Sequence, residues 1–164
     1  MKRPYLLIDI DGVLNPLNRG TKPAGFKRHE MAGYDVWLSP QHGAWLRALG
    51  SWFDLVWATT WEHEARLIAT VLSLPLDLSV IEFDQDRTED TWKLHDVRRF
   101  VGDRPLAWID DDLWSDAFDW AEERSSPTLL IRVAPHRGLT RSHVGRLEDF
   151  GRGVMRSSDS DDPR

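Results

Sequence analysis

The chain contains no cysteine. That absence excludes disulfides, thiolate metal sites and a cysteine nucleophile, and it suits a reducing, cytoplasmic setting. Long apolar runs are missing too. The opening residues begin like a secretion signal with Lys2 and Arg3, but the run Tyr5–Ile8 ends at Asp9, too short for a signal core or a membrane span. No membrane partner is expected, no internal repeat is present, and no segment calls for an obligate protein partner. Positive charge is in deficit, with 21 Lys and Arg against 27 Asp and Glu for a net charge of −6. A protein that coats nucleic acid through bulk charge is thereby disfavoured.

What is present suffices for one globular domain: 164 residues, 41% of them hydrophobic, enough for a real core and too few for a second large domain. Charge is segregated along the chain. Residues 109–123 carry seven acids and no Lys or Arg. Residues 14–29 carry Arg19, Lys22, Lys27 and Arg28 without an acid, and residues 127–147 carry Arg132, Arg137, Arg141 and Arg146 without an acid. Each patch taken singly reads as a solvated face. Together, an acidic pocket beside basic surfaces would hold a metal and still attract an anionic substrate.

Short apolar runs alternate with helix-like stretches. Strands are expected at Tyr5–Ile8, Phe53–Ala58, Val80–Phe83, Leu106–Ile109 and Thr128–Val133. Helices are expected over 40–50, with Pro40 in the first turn and Gly50 at the end, over Glu62–Leu72, over Thr88–Val101, over Ser115–Arg124 with Ser115 as N-cap, and from Thr140 to about Phe150. This alternation predicts an α/β fold with a parallel sheet, in which ligands bind beyond the carboxyl ends of the strands where strand order reverses. Residues 14–38 are long for a loop, and Tyr34–Leu38 alternates like one strand of a small hairpin. Residues 156–164 lack apolar side chains and read as a disordered tail.

Polar groups gather at the expected strand ends. Asp9-Ile10-Asp11-Gly12-Val13-Leu14 closes the first strand, Thr59-Thr60 follows the second, Lys93 lies before the fourth, and Asp110-Asp111-Asp112 closes the fourth. Converging carboxylates repel and raise one another's pKa. A hard dication relieves this, and oxygen ligands without His or Cys suit Mg²⁺. Lys93 and Thr59 can bind phosphoryl oxygens, a carboxylate can attack phosphorus, and a second acid two residues on can protonate the leaving oxygen and then activate water. Each element alone has a plainer role: a turn at Asp11-Gly12, a helix cap at Thr59, Thr60, Asp111 or Asp112, a surface lysine at 93. Their conjunction in this order carries the reading. Trp57, Trp61, Trp108 and Trp114 flank the motifs, but most of the nine tryptophans are expected in the core. His63, His136 and His143 read as surface residues.

In these four motifs the chain resembles the haloacid dehalogenase (HAD) superfamily of phosphohydrolases. The resemblance implies a Rossmann-like three-layer sandwich with a central five-stranded parallel sheet. It implies Asp9 as nucleophile, Asp11 as general acid/base with its backbone carbonyl on the metal, Thr59 and Thr60 with Lys93 as phosphate-binding groups, and Asp9, Asp11, Asp110 and Asp111 around Mg²⁺. The fourth motif is a triplet rather than a pair, so the roles within 110–112 stay open. The haloacid-cleaving branch lacks the second acid of the first motif, so Asp11 points to the phosphatase branch. The segments WATTWEHEA, WIDDD and GLT-x-x-HV resemble, more narrowly, small uncapped members such as HAD domains of RNA-repair proteins. The gaps at 15–39 and between Thr60 and Lys93 are too small for a cap domain. The expected organisation is a HAD-like phosphatase domain over 1–150, with a flap hairpin at 15–39, and a disordered tail over 151–164. The expected partner is a phosphorylated substrate, with a nucleotide or nucleic-acid end in view. A catalytically silent HAD-like binding module and a phosphoacceptor signalling domain remain as alternatives. A signalling receiver places its acidic pair, Asp, Thr and Lys in a different order.

Overall fold

Alternation along the apolar strands divides their side chains between two faces, and helices cover both. The computed structural model describes residues 2–17, 20, 22–84 and 88–160. In chain order the elements are β1 (Tyr5–Ile8), β2 (Lys27–Met31), β3 (Tyr34–Leu38), α1 (Pro40–Leu49), β4 (Asp54–Trp57), a 3₁₀ turn (Glu62–Glu64), α2 (Ala65–Leu72), β5 (Ser79–Val80), α3 (Leu94–Val101), β6 (Leu106–Asp110), α4 (Ser115–Glu123), β7 (Thr128–Arg132) and α5 (Arg141–Ser160).

The main sheet has the order β5-β4-β1-β6-β7 with every pairing parallel. Leu6 and Ile8 of β1 face Leu46 of α1, Ile68 of α2 and Val144 of α5 in one core layer. Leu7, one residue out of phase, joins Leu106 and Trp108 of β6, Val97 of α3 and Ala117 of α4 in the other. This is the expected three-layer α/β sandwich around a five-stranded parallel sheet. Among the described residues no domain is inserted between the strands, so there is no cap. The chain walks from β1 out to β5, then crosses back to place β6 on the other side of β1. Strand order therefore reverses between β1 and β6, and a crevice opens at their carboxyl ends.

β2 and β3 form an antiparallel hairpin beside that crevice, with Met31 opposite Tyr34. Its two-residue turn, Ala32-Gly33, takes positive φ at both positions (51° and 80°), the geometry that matches the twist of paired strands. Arg19 of the expected basic flap lies outside the described residues.

Several boundaries differ from the expectation; the helix expected over Glu62–Leu72, for example, opens as the 3₁₀ turn before α2 begins at Ala65. The helix expected over Thr88–Val101 begins only at Leu94, because Asp116 captures Thr91: its carboxylate accepts the Thr91 amide at 2.9 Å and hydroxyl at 2.6 Å. The strand expected over Val80–Phe83 is reduced to Ser79–Val80, since Glu62 accepts the Phe83 amide and Asp96 the Asp84 amide in place of a neighbouring strand. At the start of α4 the N-cap position is Trp114, not Ser115. The final helix continues past Phe150 to Ser160, where a tail was expected. Gly151 lies directly against Trp52 and Phe53, and Val154 is buried, so packing extends the helix. Residues 161–164 of that tail are not among those described. Among the described residues no helix is long and apolar enough to cross a membrane.

Candidate active site

The first strand ends in a tight loop that presents two carboxylates, Asp9 and Asp11, two residues apart. The amides of Val13, Leu14 and Asn15 all donate to the Ile10 carbonyl, and the Gly12 amide donates to the Asn15 carbonyl at 2.8 Å. Gly12 has φ +82°, and a Cβ there would lie 2.4 Å from the Asp111 carboxylate carbon. Only glycine allows this turn and lets β6 bring Asp111 in beside it. Behind the loop, the Leu139 amide donates to the Val13 carbonyl at 2.8 Å, and the buried His42 ring of α1 donates through Nε2 to the Leu139 carbonyl at 2.9 Å. The Gly138-Leu139-Thr140 segment thus braces the first loop. His143 joins this brace, its Nδ1 accepting the Thr140 amide at 3.1 Å.

At the switch point, β1 and β6 bring Asp9, Asp110 and Asp111 together, with one carboxylate oxygen of each within 4.8 Å of the others. Lys93 Nζ lies 3.1 Å from Asp9 Oδ1 and 2.7 Å from Asp110 Oδ2, and donates to the Ala58 carbonyl at 3.1 Å. Its three protons are thereby engaged, and the side chain is almost wholly buried. Burial works against the ammonium, but Asp110 and Asp9 outweigh it and hold Lys93 above the ordinary lysine value. Burial and the Asp110 charge push the Asp9 carboxyl well above the ordinary carboxylate range, with Lys93 pulling against them. Burial, then Asp110, raises Asp111 as well.

Three carboxylates against one ammonium leave uncompensated negative charge in a largely dry site. The donors are all hard oxygens, so the cluster fits a small dication such as Mg²⁺. Within the acidic triplet the geometry separates the members. Asp110 is fully buried and accepts Lys93, the Trp108 indole N–H at 3.2 Å and the Asp112 amide at 3.0 Å. Asp111 is only half-buried and faces the cluster. Asp112 turns away and accepts the Trp114 indole N–H at 2.6 Å.

Asp11 also stands apart from the three-acid cluster. Its Oδ1 accepts Asn15 Nδ2 at 2.8 Å and its Oδ2 accepts the Trp61 indole N–H at 2.9 Å. This fixes it at the mouth of an open groove of about 550 Å³, lined also by Leu17, Tyr34, Val36 and Thr60. Thr59 is fully buried, and its hydroxyl oxygen accepts the Trp61 amide at 3.3 Å. Thr60 is exposed on the groove. The structure therefore joins Asp9, Lys93, Asp110 and Asp111, sets Asp11 on the adjoining groove, places Thr59 beneath and Thr60 at the rim.

Sequence reading missed the indole donors. Trp61, Trp108 and Trp114 each donate to a different site carboxylate. The signal was visible in W-I-D-D-D-L-W, where Trp108 and Trp114 stand two residues either side of Asp110 and Asp112. Asn15 and Tyr34 carried no comparable signal. His63 is an exposed helix-side residue paired with Glu82.

The basic surfaces are partly balanced. Arg28 pairs with Asp35 across the hairpin at 2.6 Å, Arg141 pairs with Glu148 at 3.0 Å, Lys22 lies over the Trp37 ring, and Arg132 stacks on Trp114 at 4.4 Å. Lys27 and Arg137 are exposed.

A family model described as the HAD domain in Swiss Army Knife RNA repair proteins matches residues 5–144. The match takes in all five strands of the main sheet and every residue of the site above. No curated protein matches the chain.

Proposed function

The chain belongs to the family of HAD domains found in Swiss Army Knife RNA repair proteins, and on that footing we propose that it is a Mg²⁺-dependent phosphohydrolase acting on phosphomonoesters through an aspartyl-phosphate at Asp9. The observation that carries this reading is the pairing of a buried Asp9–Lys93–Asp110 unit with a separately held Asp11 two residues on.

In the first half-reaction an Asp9 carboxylate oxygen bonds to phosphorus as the bond from phosphorus to the leaving oxygen breaks. Asp11 supplies the proton that the leaving oxygen needs. In the second, Asp11 takes a proton from a water that attacks the same phosphorus, and the Asp9–phosphorus bond breaks to release phosphate. Asn15 and Trp61 keep Asp11 aimed at the groove through both steps. Lys93 holds Asp9 and Asp110 at fixed spacing. Asp9, Asp110 or Asp111 and the Asp11 backbone carbonyl would hold Mg²⁺, which offsets carboxylate charge and polarises the phosphoryl group when bound. The substrate in this reading is a nucleotide or a nucleic-acid end, in line with the family's repair setting, and the cysteine-free chain suits a reducing cytoplasm.

The test is rapid acid quench of the protein with an aryl phosphate and Mg²⁺, followed by mass mapping. A phosphate mass on the Asp9 peptide, together with continuous release of phosphate, supports the reading. Stable phosphorylation without turnover would identify a phosphoacceptor module instead. No labelling and no turnover would leave a silent binding domain.

A further inference from the structure

We propose that the groove between the hairpin and the Thr60–Glu64 segment is the leaving-group subsite, and that it takes the base and sugar of a nucleoside. This rests on the phosphohydrolase reading, because the place of the leaving group follows from the general acid. The leaving oxygen must come within hydrogen-bond reach of Asp11. Both Asp11 oxygens are oriented by Asn15 and Trp61, and all three residues line the groove. Whatever carries the leaving oxygen therefore extends along this groove and away from Asp9.

The lining specifies the class. Tyr34 stands at the hairpin tip with 66% of its surface exposed, and its ring centroid lies 6.0 Å from that of Trp61 with the planes at 65°. An exposed aromatic side chain beside a second one offers a stacking surface for a flat ring. Exposed Leu17 adds apolar wall, and the volume of about 550 Å³ suits a ligand of nucleoside size. The charged residues of the lining are all acidic: Asp11, Asp35 and Glu64. Asp35 is balanced by Arg28, but Asp11 and Glu64 disfavour a second phosphate and can accept hydrogen bonds from sugar hydroxyls or exocyclic amines. The occupant is thus neutral, partly aromatic and rich in donors, as a nucleoside is.

The experiment compares kcat/KM for a nucleoside monophosphate with that for ribose 5-phosphate, which lacks the base. The wild-type ratio should favour the nucleotide by about tenfold, the scale of one base-stacking contact. Tyr34→Ala should bring the ratio to near one, and Tyr34→Phe, which keeps the ring, should retain it. A wild-type ratio near one, or a preference that survives Tyr34→Ala, would overturn the subsite. Quenching of tryptophan fluorescence by the free nucleoside, lost in Tyr34→Ala, reads the same subsite without turnover. Absence of turnover on both phosphates with quenching intact would overturn the hydrolase reading alone. A 5′-phosphorylated tetranucleotide in parallel distinguishes the two sources of the base: higher kcat/KM than the mononucleotide assigns a chain end, and lower assigns the free nucleotide.

Discussion

The inner and outer halves of the site are built on opposite principles. The inner half, Asp9, Lys93 and Asp110, is buried, and its groups satisfy one another. The outer half, Asp11, Trp61 and Tyr34, faces an open groove, and Asp11 is held there by one hydrogen bond to each oxygen, from the buried Asn15 and the partly exposed Trp61. Low dielectric strengthens each inner interaction and makes each unpaired inner group expensive. Water weakens the outer ones but leaves them free to adapt to a leaving group. Inner changes should therefore cost folding as well as chemistry, and outer changes should alter rate and selectivity with little effect on folding.

The largest expected effect is on chemistry at the inner half. Asp9→Asn keeps the shape and removes the nucleophile, so turnover should fall by at least about 10³-fold, roughly 4 kcal/mol of barrier. Phosphate release under saturating substrate measures it, and retention within tenfold would move the nucleophile elsewhere. Next comes folding. Lys93→Met keeps the apolar stem and leaves two buried carboxylates without their cation, a loss of about 3 kcal/mol in urea unfolding. Burial and Asp110 already raise the folded-state pKa of Asp9. The contribution of Asp9 to the variant's stability should therefore be fully present below the ordinary carboxylate range and be lost as pH rises through the raised folded-state value. A loss under about 1 kcal/mol would mean the inner half is not the folding element described here.

Mg²⁺ should stabilise the protein in the absence of any substrate, by about 2.7 kcal/mol at a hundredfold excess over its Kd, and Asp111→Asn should weaken that gain. An unchanged Tm across a magnesium titration would remove the ion from the site. At the outer half, Trp61→Phe keeps a ring and loses the N–H that holds Asp11. We expect about a tenfold loss on an alkyl phosphate, whose leaving oxygen needs a proton, and a smaller loss on an activated aryl phosphate. Equal losses on both would assign Trp61 to packing alone. The smallest effect is at the brace. Burial lowers the His42 pKa, so its share of stability is complete above about pH 6.5, the ordinary imidazole value, and is lost as pH falls below it. His42→Gln should flatten that slope in urea titrations between neutral and mildly acidic pH.

Much of this was legible before any coordinates. The sequence by itself determined the strand β1 and helix α1, because Tyr5–Ile8 is a continuous apolar run and Pro40 sits in the first turn of a helix that Gly50 closes. It also determined the ligand types and their order, because parallel α/β sheets place strand-terminal residues on one edge. Tertiary structure alone decided how those groups divide. Asp110 became the anchor of Lys93 and Asp112 turned outward because the chain direction after β6 assigns each carboxylate a different neighbour. The start of α3 moved to Leu94 because a hydroxyl at Thr91 met a carboxylate 25 residues away. The tail became helix because Gly151 found Trp52 and Phe53 to pack against. Local spacing encodes periodicity and chemistry within one element, whereas the partner of a buried hydrogen bond is set by which elements the fold brings together. For that reason the tryptophans beside the acids were visible in the sequence, but which carboxylate each indole meets was decided only in three dimensions.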